Sequence, residues 1–195
     1  SDVCSSDLDL LLSFHYLFLE EFSEDFPQVI ERARAAGVTH IFMPNIDSTT
    51  IEAMLSACSL YKGYCFPMIG LHPTSVNANY EKELEIVARE LKFSKEYVAI
   101  GEIGMDLYWD KTYLKEQQIV LDKQVNWALE YDLPVVIHCR DAFDYIYKVL
   151  EPYKKTLLRG IFHSFTGTAE EATRVLEFSD FFIGINGEIF LLKES

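Results

Sequence analysis

The sequence predicts an α/β protein: a (β/α)8 barrel of the TIM type, incomplete at about seven strands with the eighth missing. Three observations support this. Apolar strand-like runs alternate regularly with amphipathic helix-like runs. No glycine-rich phosphate loop follows the first strand. Polar side chains close the hydrophobic runs at the C-terminal ends of four strands, where a barrel builds its site. An open doubly wound sheet, the alternative, gathers such residues at one switch point.

The elements follow in order. Residues 8–19 (LDLLLSFHYLFL) supply a first strand, and PQVIERARAA, ending before Gly37, reads as a helix closed by a glycine. The next strand is VTHIFMPN (38–45), followed by the helix IEAMLSACSLY, for which TTIE (Thr49 to Glu52) reads as a capping box. YCFPMIGLHP (64–73) and YVAIGEIGMD (97–106) are strands separated by the helix EKELEIVARELKF. After the long helix KEQQIVLDKQVNWALEY come PVVIHCR (134–140), LRGIFHSF (158–165) and DFFIGING (180–187). The helix AEEATRVLEF lies between the last two, with TAEE (Thr168 to Glu171) as its capping box. Strands joined by helices of this length are parallel, because parallel pairing requires a crossover.

Composition narrows the function. The chain has 195 residues, 49% of them apolar, enough for one domain with a substantial core. Its formal charge is −14 with no basic block, which argues against coating nucleic acid or an anionic membrane by bulk charge, so a phosphate partner must be gripped locally. Cys4, Cys58, Cys65 and Cys139 lack CxxC spacing, which favours reduced thiols and a cytoplasmic location. No Lys or Arg precedes Arg32, so residues 8–19 read as a core strand and not as a secretion signal. No apolar run reaches the roughly 18 residues that span a bilayer.

Period-two reading places His138 on the face of Val136 and Arg140, His163 with Ile161 and Phe165, Glu102 with Ile100, Gly104 and Asp106, and His72 with Gly70 and Met68. A single strand-end histidine is as a rule a hydrogen-bonded structural residue. Glu102, however, is a carboxylate in an apolar strand that needs a cation to offset its desolvation. Taken together, Glu102, His138 and His163 favour a divalent-metal site. Arg140 either grips a phosphate or pairs with Asp141 or Asp106. Asn186 either lines the mouth or caps the next helix. Cys65 and Cys139 fall on the opposite face and read as core.

IGLHP (69–73), AIGEIGMD (99–106), PVVIHCRDA (134–142) and IFHSFTGT (161–168), in this order and spacing, resemble the TatD family of metal-dependent deoxyribonucleases. The resemblance covers roughly residues 17–187. It implies a barrel of the metal-dependent hydrolase type holding two divalent ions (Mg, Mn or Zn) and cleaving DNA phosphodiesters as a 3′–5′ exonuclease, with single-stranded DNA or 3′ ends as substrate. It implies Glu102, His138 and His163 as metal ligands and catalytic groups, and His72 and Arg140 as substrate contacts, with Asp106 near the site.

Two departures accompany the resemblance. The family's first strand carries an Asp-x-His-x-His run. Here that stretch reads LSFHYLFLEEF, so the second histidine falls on Tyr16 and His15 takes the intervening position; His15 becomes a ligand only if the strand slips by one residue. The family also continues to an eighth strand bearing an aspartate ligand, which EIFLLKES does not resemble. The expected organisation is therefore an atypical start over residues 1–16 and a single, C-terminally truncated barrel domain over residues 17–195, with activity impaired by missing ligands. Competing readings are another metal-dependent, amidohydrolase-like hydrolase, for which the usual strand-end carboxylated lysine has no candidate, and an inactive barrel with a binding role.

Overall fold

The computed structural model describes residues 10–13, 16–19 and 24–185. Expectations for Cys4, His15, Asn186, the segment EIFLLKES and most of residues 1–16 lie outside them. Among the described residues, seven strands form one sheet: β1 (Leu10–Ser13), β2 (Val38–Pro44), β3 (Cys65–Ile69), β4 (Ala99–Asp106), β5 (Val135–Arg140), β6 (Gly160–Phe162) and β7 (Phe181–Ile183). They lie side by side in chain order, and every neighbouring pair is parallel. A doubly wound sheet would reverse that order at its switch point, so the unbroken sequence of neighbours decides for a barrel wall.

A helix follows each of the first six strands: α1 (Phe26–Ala35), α2 (Ile51–Leu60), α3 (Tyr80–Phe93), α4 (Leu114–Glu130), α5 (Phe143–Leu150) and α6 (Ala169–Val175). α5 is not among the helices expected from the sequence. It buries Phe143, Ile146, Tyr147 and Leu150, one helical stripe at i, i+3, i+4 and i+7, within a run of strand-prone aromatic and β-branched residues. The capping box at Thr168 and Glu171 forms, with both reciprocal hydrogen bonds in place. The one expected at Thr49 and Glu52 does not. The Thr49 hydroxyl donates to Asp47 Oδ1 at 2.6 Å, and Thr50 Oγ1 accepts from the backbone of Ile46 at 2.9 Å, so both hydroxyls are engaged in the β2–α2 turn. Gly37, with φ of +85°, follows α1 in the left-handed conformation expected of a helix-ending glycine.

Two apolar layers flank the sheet. Ile41, Met43, Ile69, Ile100, Ile103, Met105, Val135, Ile137 and Phe162 pack against the helices in the main core. Met68, Ala99 and Val136 form a separate inner cluster with Phe42, Val98 and Ile161. Each fully buried aliphatic side chain contributes about 1.5–3 kcal/mol, and the alternation between the two layers determines which strand-end residues turn inward.

On β4 that alternation breaks once. Ile100 pairs with Val135 and Ile103 with Ile137, so three steps on β4 match two on β5. This extra residue corrects the period-two expectation. Ile100 faces the helices, while Glu102 is shifted to the inner face together with Ala99, as a bulge does when it re-aims a side chain. No helix among the described residues is long and apolar enough to cross a membrane.

Candidate metal centre

The inner face carries polar side chains at the C-terminal ends of β3, β4, β5 and β6. His72, Glu102 and His138 each offer one ligand atom, and these atoms all lie within 4.8 Å of one another. Imidazole, carboxylate and imidazole is a donor set that suits Zn, Mn and related divalent ions, so the residues present fit a metal. Glu102 is 5% exposed, and its two oxygens face different partners. Oε2 accepts from the Tyr16 hydroxyl at 3.4 Å and lies 3.9 Å from His72 Nε2, while Oε1 touches His163 Nδ1. Burial by itself raises the Glu102 carboxyl. The hydrogen bond and charge of His163, then the charges of His72 and His138, outweigh it and hold the group below its ordinary value.

Each imidazole is oriented by its neighbours. His72 starts the short turn Pro73–Ser75, and its Nδ1 lies 2.7 Å from Thr74 Oγ1 and 3.2 Å from Thr74 N. Nδ1 accepts from Thr74 N, which puts the proton of the neutral ring on Nε2, and a metal held there would take that proton's place. His138 Nε2 lies 2.9 Å from Asp106 Oδ2; donation there leaves the lone pair on Nδ1. The Asp106 carboxylate is itself held, because Oδ1 accepts from Tyr108 N at 3.1 Å. His163 Nε2 lies 2.7 Å from Ser164 Oγ.

Every sequence-derived candidate within the described residues thus has a place. His72, which the resemblance assigns to substrate, stands within the three-residue ligand group. His163 meets the group through Glu102, and Asp106 braces His138. Arg140 does not pair with Asp141 or Asp106. Its guanidinium lies 3.8 Å from the centre of the Tyr108 ring, and the Asp106 carboxylate is taken by His138. His15 lies outside the described residues, and Tyr16 occupies the position facing Glu102. Burial pushes the Cys139 thiol up to about 12 and the Cys65 thiol to about 11, which makes both poor metal ligands at neutral pH.

Three buried amides hold the framework, and strand reading alone misses them. Asn45 Oδ1 accepts from Gly70 N at 2.7 Å. Gln124 accepts from Leu71 N at 2.7 Å and donates to Leu71 O at 3.3 Å, so α4 fastens the backbone residue just before His72. Gln117 does the same at Asp106, accepting from its N at 2.9 Å and donating to its O at 3.1 Å. A signal exists: Gln117 and Gln124 are seven apart on the stripe that also carries Val120, Leu121, Val125 and Ala128. Gln124→Leu is expected to strand both Leu71 backbone groups in a dry interior, at about 1–3 kcal/mol each. Thermal unfolding should show a drop of several degrees, and an unchanged midpoint would mean that the clamp is dispensable.

Acid should weaken the metal-free protein through the same site. Burial, then the neighbouring His138, lowers the His72 imidazole to about 4. Between the ordinary value near 6.5 and about 4, the unfolded chain binds a proton that the folded one does not, so the contribution is complete above pH 6.5 and is lost as pH falls. The depressed Glu102 acts in the same direction at lower pH. The unfolding midpoint in EDTA is expected to fall steadily from pH 6.5 to 4 and to flatten in His72→Gln; a wild-type midpoint constant over that window would refute the assignment.

The geometry accords with three comparisons. Residues 12–195 match the family model of the TatD related DNases. A protein named 3′-5′ ssDNA/RNA exonuclease TatD from Pantoea sp. (strain At-9b) is 34% identical over 167 residues, covering 86% of this chain and 64% of its own length. The uncharacterized metal-dependent hydrolase YabD of Bacillus subtilis (strain 168) is 33% identical over 174 residues, covering 89% of this chain and 67% of its own. Among solved structures, YJJV, a TatD homologue from Escherichia coli K12, superposes with a TM-score of 0.85 at 28% identity, over 95% of this chain and 71% of that one.

Proposed function

Because the chain belongs to the TatD related DNase family, we propose that it derives from a divalent-metal-dependent phosphodiesterase that removes nucleotides from the 3′ end of single-stranded nucleic acid, DNA in the first instance. The observation that carries this reading is the convergence of His72, Glu102 and His138, from three neighbouring strand ends, within 4.8 Å. His72, Glu102 and His138 would hold one ion, and His163, beside Glu102, is the candidate to help hold a second. Divalent ions bound there would supply positive charge for nonbridging phosphate oxygens and would lower the pKa of a water.

The chain's own groups do the rest. Asp106 fixes the His138 ring and can take its proton. Arg140, two residues beyond His138 on β5, offers its N–H edge to a phosphate. Ions held at the metal centre would let a chain of net charge −14 meet a polyanion without a basic track. Cys58, Cys65 and Cys139 are free thiols, which supports a reducing, cytoplasmic setting. Residues 17–195 are proposed to belong to one barrel domain.

The test is cleavage of a 5′-labelled single-stranded oligonucleotide with Mg, Mn or Zn added. Stepwise shortening from the 3′ end, stopped by EDTA and by His138→Ala, is expected. Tyr16 stands where the family pattern has an imidazole, so turnover should be slow, and Tyr16→His should increase metal affinity. Metal binding by calorimetry with no cleavage under any metal would reject the nuclease reading.

A further inference from the structure

Beyond the metal group, the loop leaving β4 carries an aromatic pair that the core does not use. Its base is rigid: Leu107 is buried, its N donates to Arg140 O at 2.9 Å, and Tyr108 N donates to Asp106 Oδ1 at 3.1 Å. Just past it, Asp110 Oδ1 accepts from Thr112 N at 2.8 Å. Between these anchors Trp109 is 78% exposed and Tyr108 49%. The two rings meet edge to face, with centroids 4.5 Å apart and planes at 89°. The Arg140 guanidinium lies 3.8 Å from the Tyr108 ring centre and 5.8 Å from that of Trp109.

Exposing an indole on a fastened loop forgoes about 1.5–3 kcal/mol of apolar burial. Of the other large exposed apolar side chains, Phe93 has the Lys92 ammonium of its own helix over its ring, and Leu157 and Leu176 offer no π face. Trp109 differs in three respects. It is braced by Tyr108, it neighbours an arginine that forms no ion pair among the described residues, and the Tyr108 that braces it is tied through Asp106 to His138. An aromatic face beside a guanidinium edge is what single-stranded nucleic acid requires, the ring for a base and the cation for its phosphate. An anionic membrane is disfavoured by the net charge of −14.

We propose that Trp109, braced by Tyr108, is a stacking platform for a nucleobase of the strand held at the metal centre, with Arg140 engaging the adjoining phosphate. This rests on the phosphodiesterase reading and adds to it a subsite that recognises bases of either DNA or RNA, because every base presents a π face. The platform tolerates any sequence and discriminates against a strand without bases.

The test compares two fluorescein-labelled phosphorothioate hexanucleotides, one of thymidine and one of abasic tetrahydrofuran units, by fluorescence anisotropy with Mg present. Wild type is expected to bind the thymidine strand about 10-fold more tightly. Trp109→Ala should abolish that preference with little change for the abasic strand, and Trp109→Phe should restore most of it. Equal affinities in wild type, or a loss in Trp109→Ala that is the same for both strands, overturns the platform. Metal-dependent hydrolysis of bis(p-nitrophenyl) phosphate by the wild type reads the catalytic assignment separately. Hydrolysis without base preference removes the platform alone, and base preference without hydrolysis removes the phosphodiesterase alone.

Discussion

Glu102→Gln is expected to reduce metal affinity by at least about 100-fold and metal-dependent cleavage by about 1000-fold or more, while leaving the barrel folded. Gln has the shape of Glu but no charge, and Glu102 sits 5% exposed among His72, His138, His163 and the Tyr16 hydroxyl. Without metal, the substitution removes a carboxylate that His163 and its neighbours hold below its ordinary value, so the midpoint in EDTA at neutral pH should fall modestly. With metal at 100 times its dissociation constant, wild type gains about 2.7 kcal/mol, a shift of roughly 5–11 °C for a chain of this size. The variant should lose that shift. Calorimetry with Mn or Zn and paired melting curves in metal and EDTA check both halves. Retention of wild-type metal affinity would place the ion elsewhere.

Gly104→Ala is expected to be the most damaging single change that touches no ligand. Gly104 pairs with His138 across β4 and β5 and has φ of +139°. A Cβ there would lie 2.0 Å from the His138 carbonyl oxygen. Backbone strain and overlap add, because an L side chain rarely adopts this φ and the oxygen belongs to a paired strand that cannot give way cheaply. A loss of about 3 kcal/mol or more follows, together with displacement of His138 and weaker metal binding. A thermal midpoint within 2 °C of wild type would show that the two strands part without cost, contrary to their close pairing.

Much of this organisation is legible in the residues themselves. The alternation of apolar runs marks six crossovers, and a helix fills each one. Four motifs, each closing a strand, lead to His72, Glu102, His138 and His163, and the structure brings all four together. The elements that escape sequence reading have specific reasons. α5 is built from residues that locally favour strands, and its helical stripe becomes decisive only when Phe143, Ile146, Tyr147 and Leu150 find a sheet to cover. Thr49 and Thr50 have the types a cap needs, yet their hydroxyls find nearer partners in the turn.

The sequence by itself determined the α/β class, the parallel connections and the identity of the polar residues at the mouth, because these depend on hydrophobic period and on residue type along the chain, whereas the strand order that makes the sheet a barrel wall was read from the structure. Tertiary structure alone decided which way Glu102 points, since one extra residue on β4 against β5 reverses the parity on which period-two reading depends. It also decided that Asp106 serves His138 and that Arg140 lies over Tyr108, because a carboxylate or guanidinium takes whichever partner the fold brings within reach. Gln117 and Gln124 make the same point from the helix side. In the sequence they are polar interruptions of an apolar stripe; in the fold they are the hydrogen-bonding partners that two strand-end backbones, at Asp106 and Leu71, would otherwise lack in a dry interior.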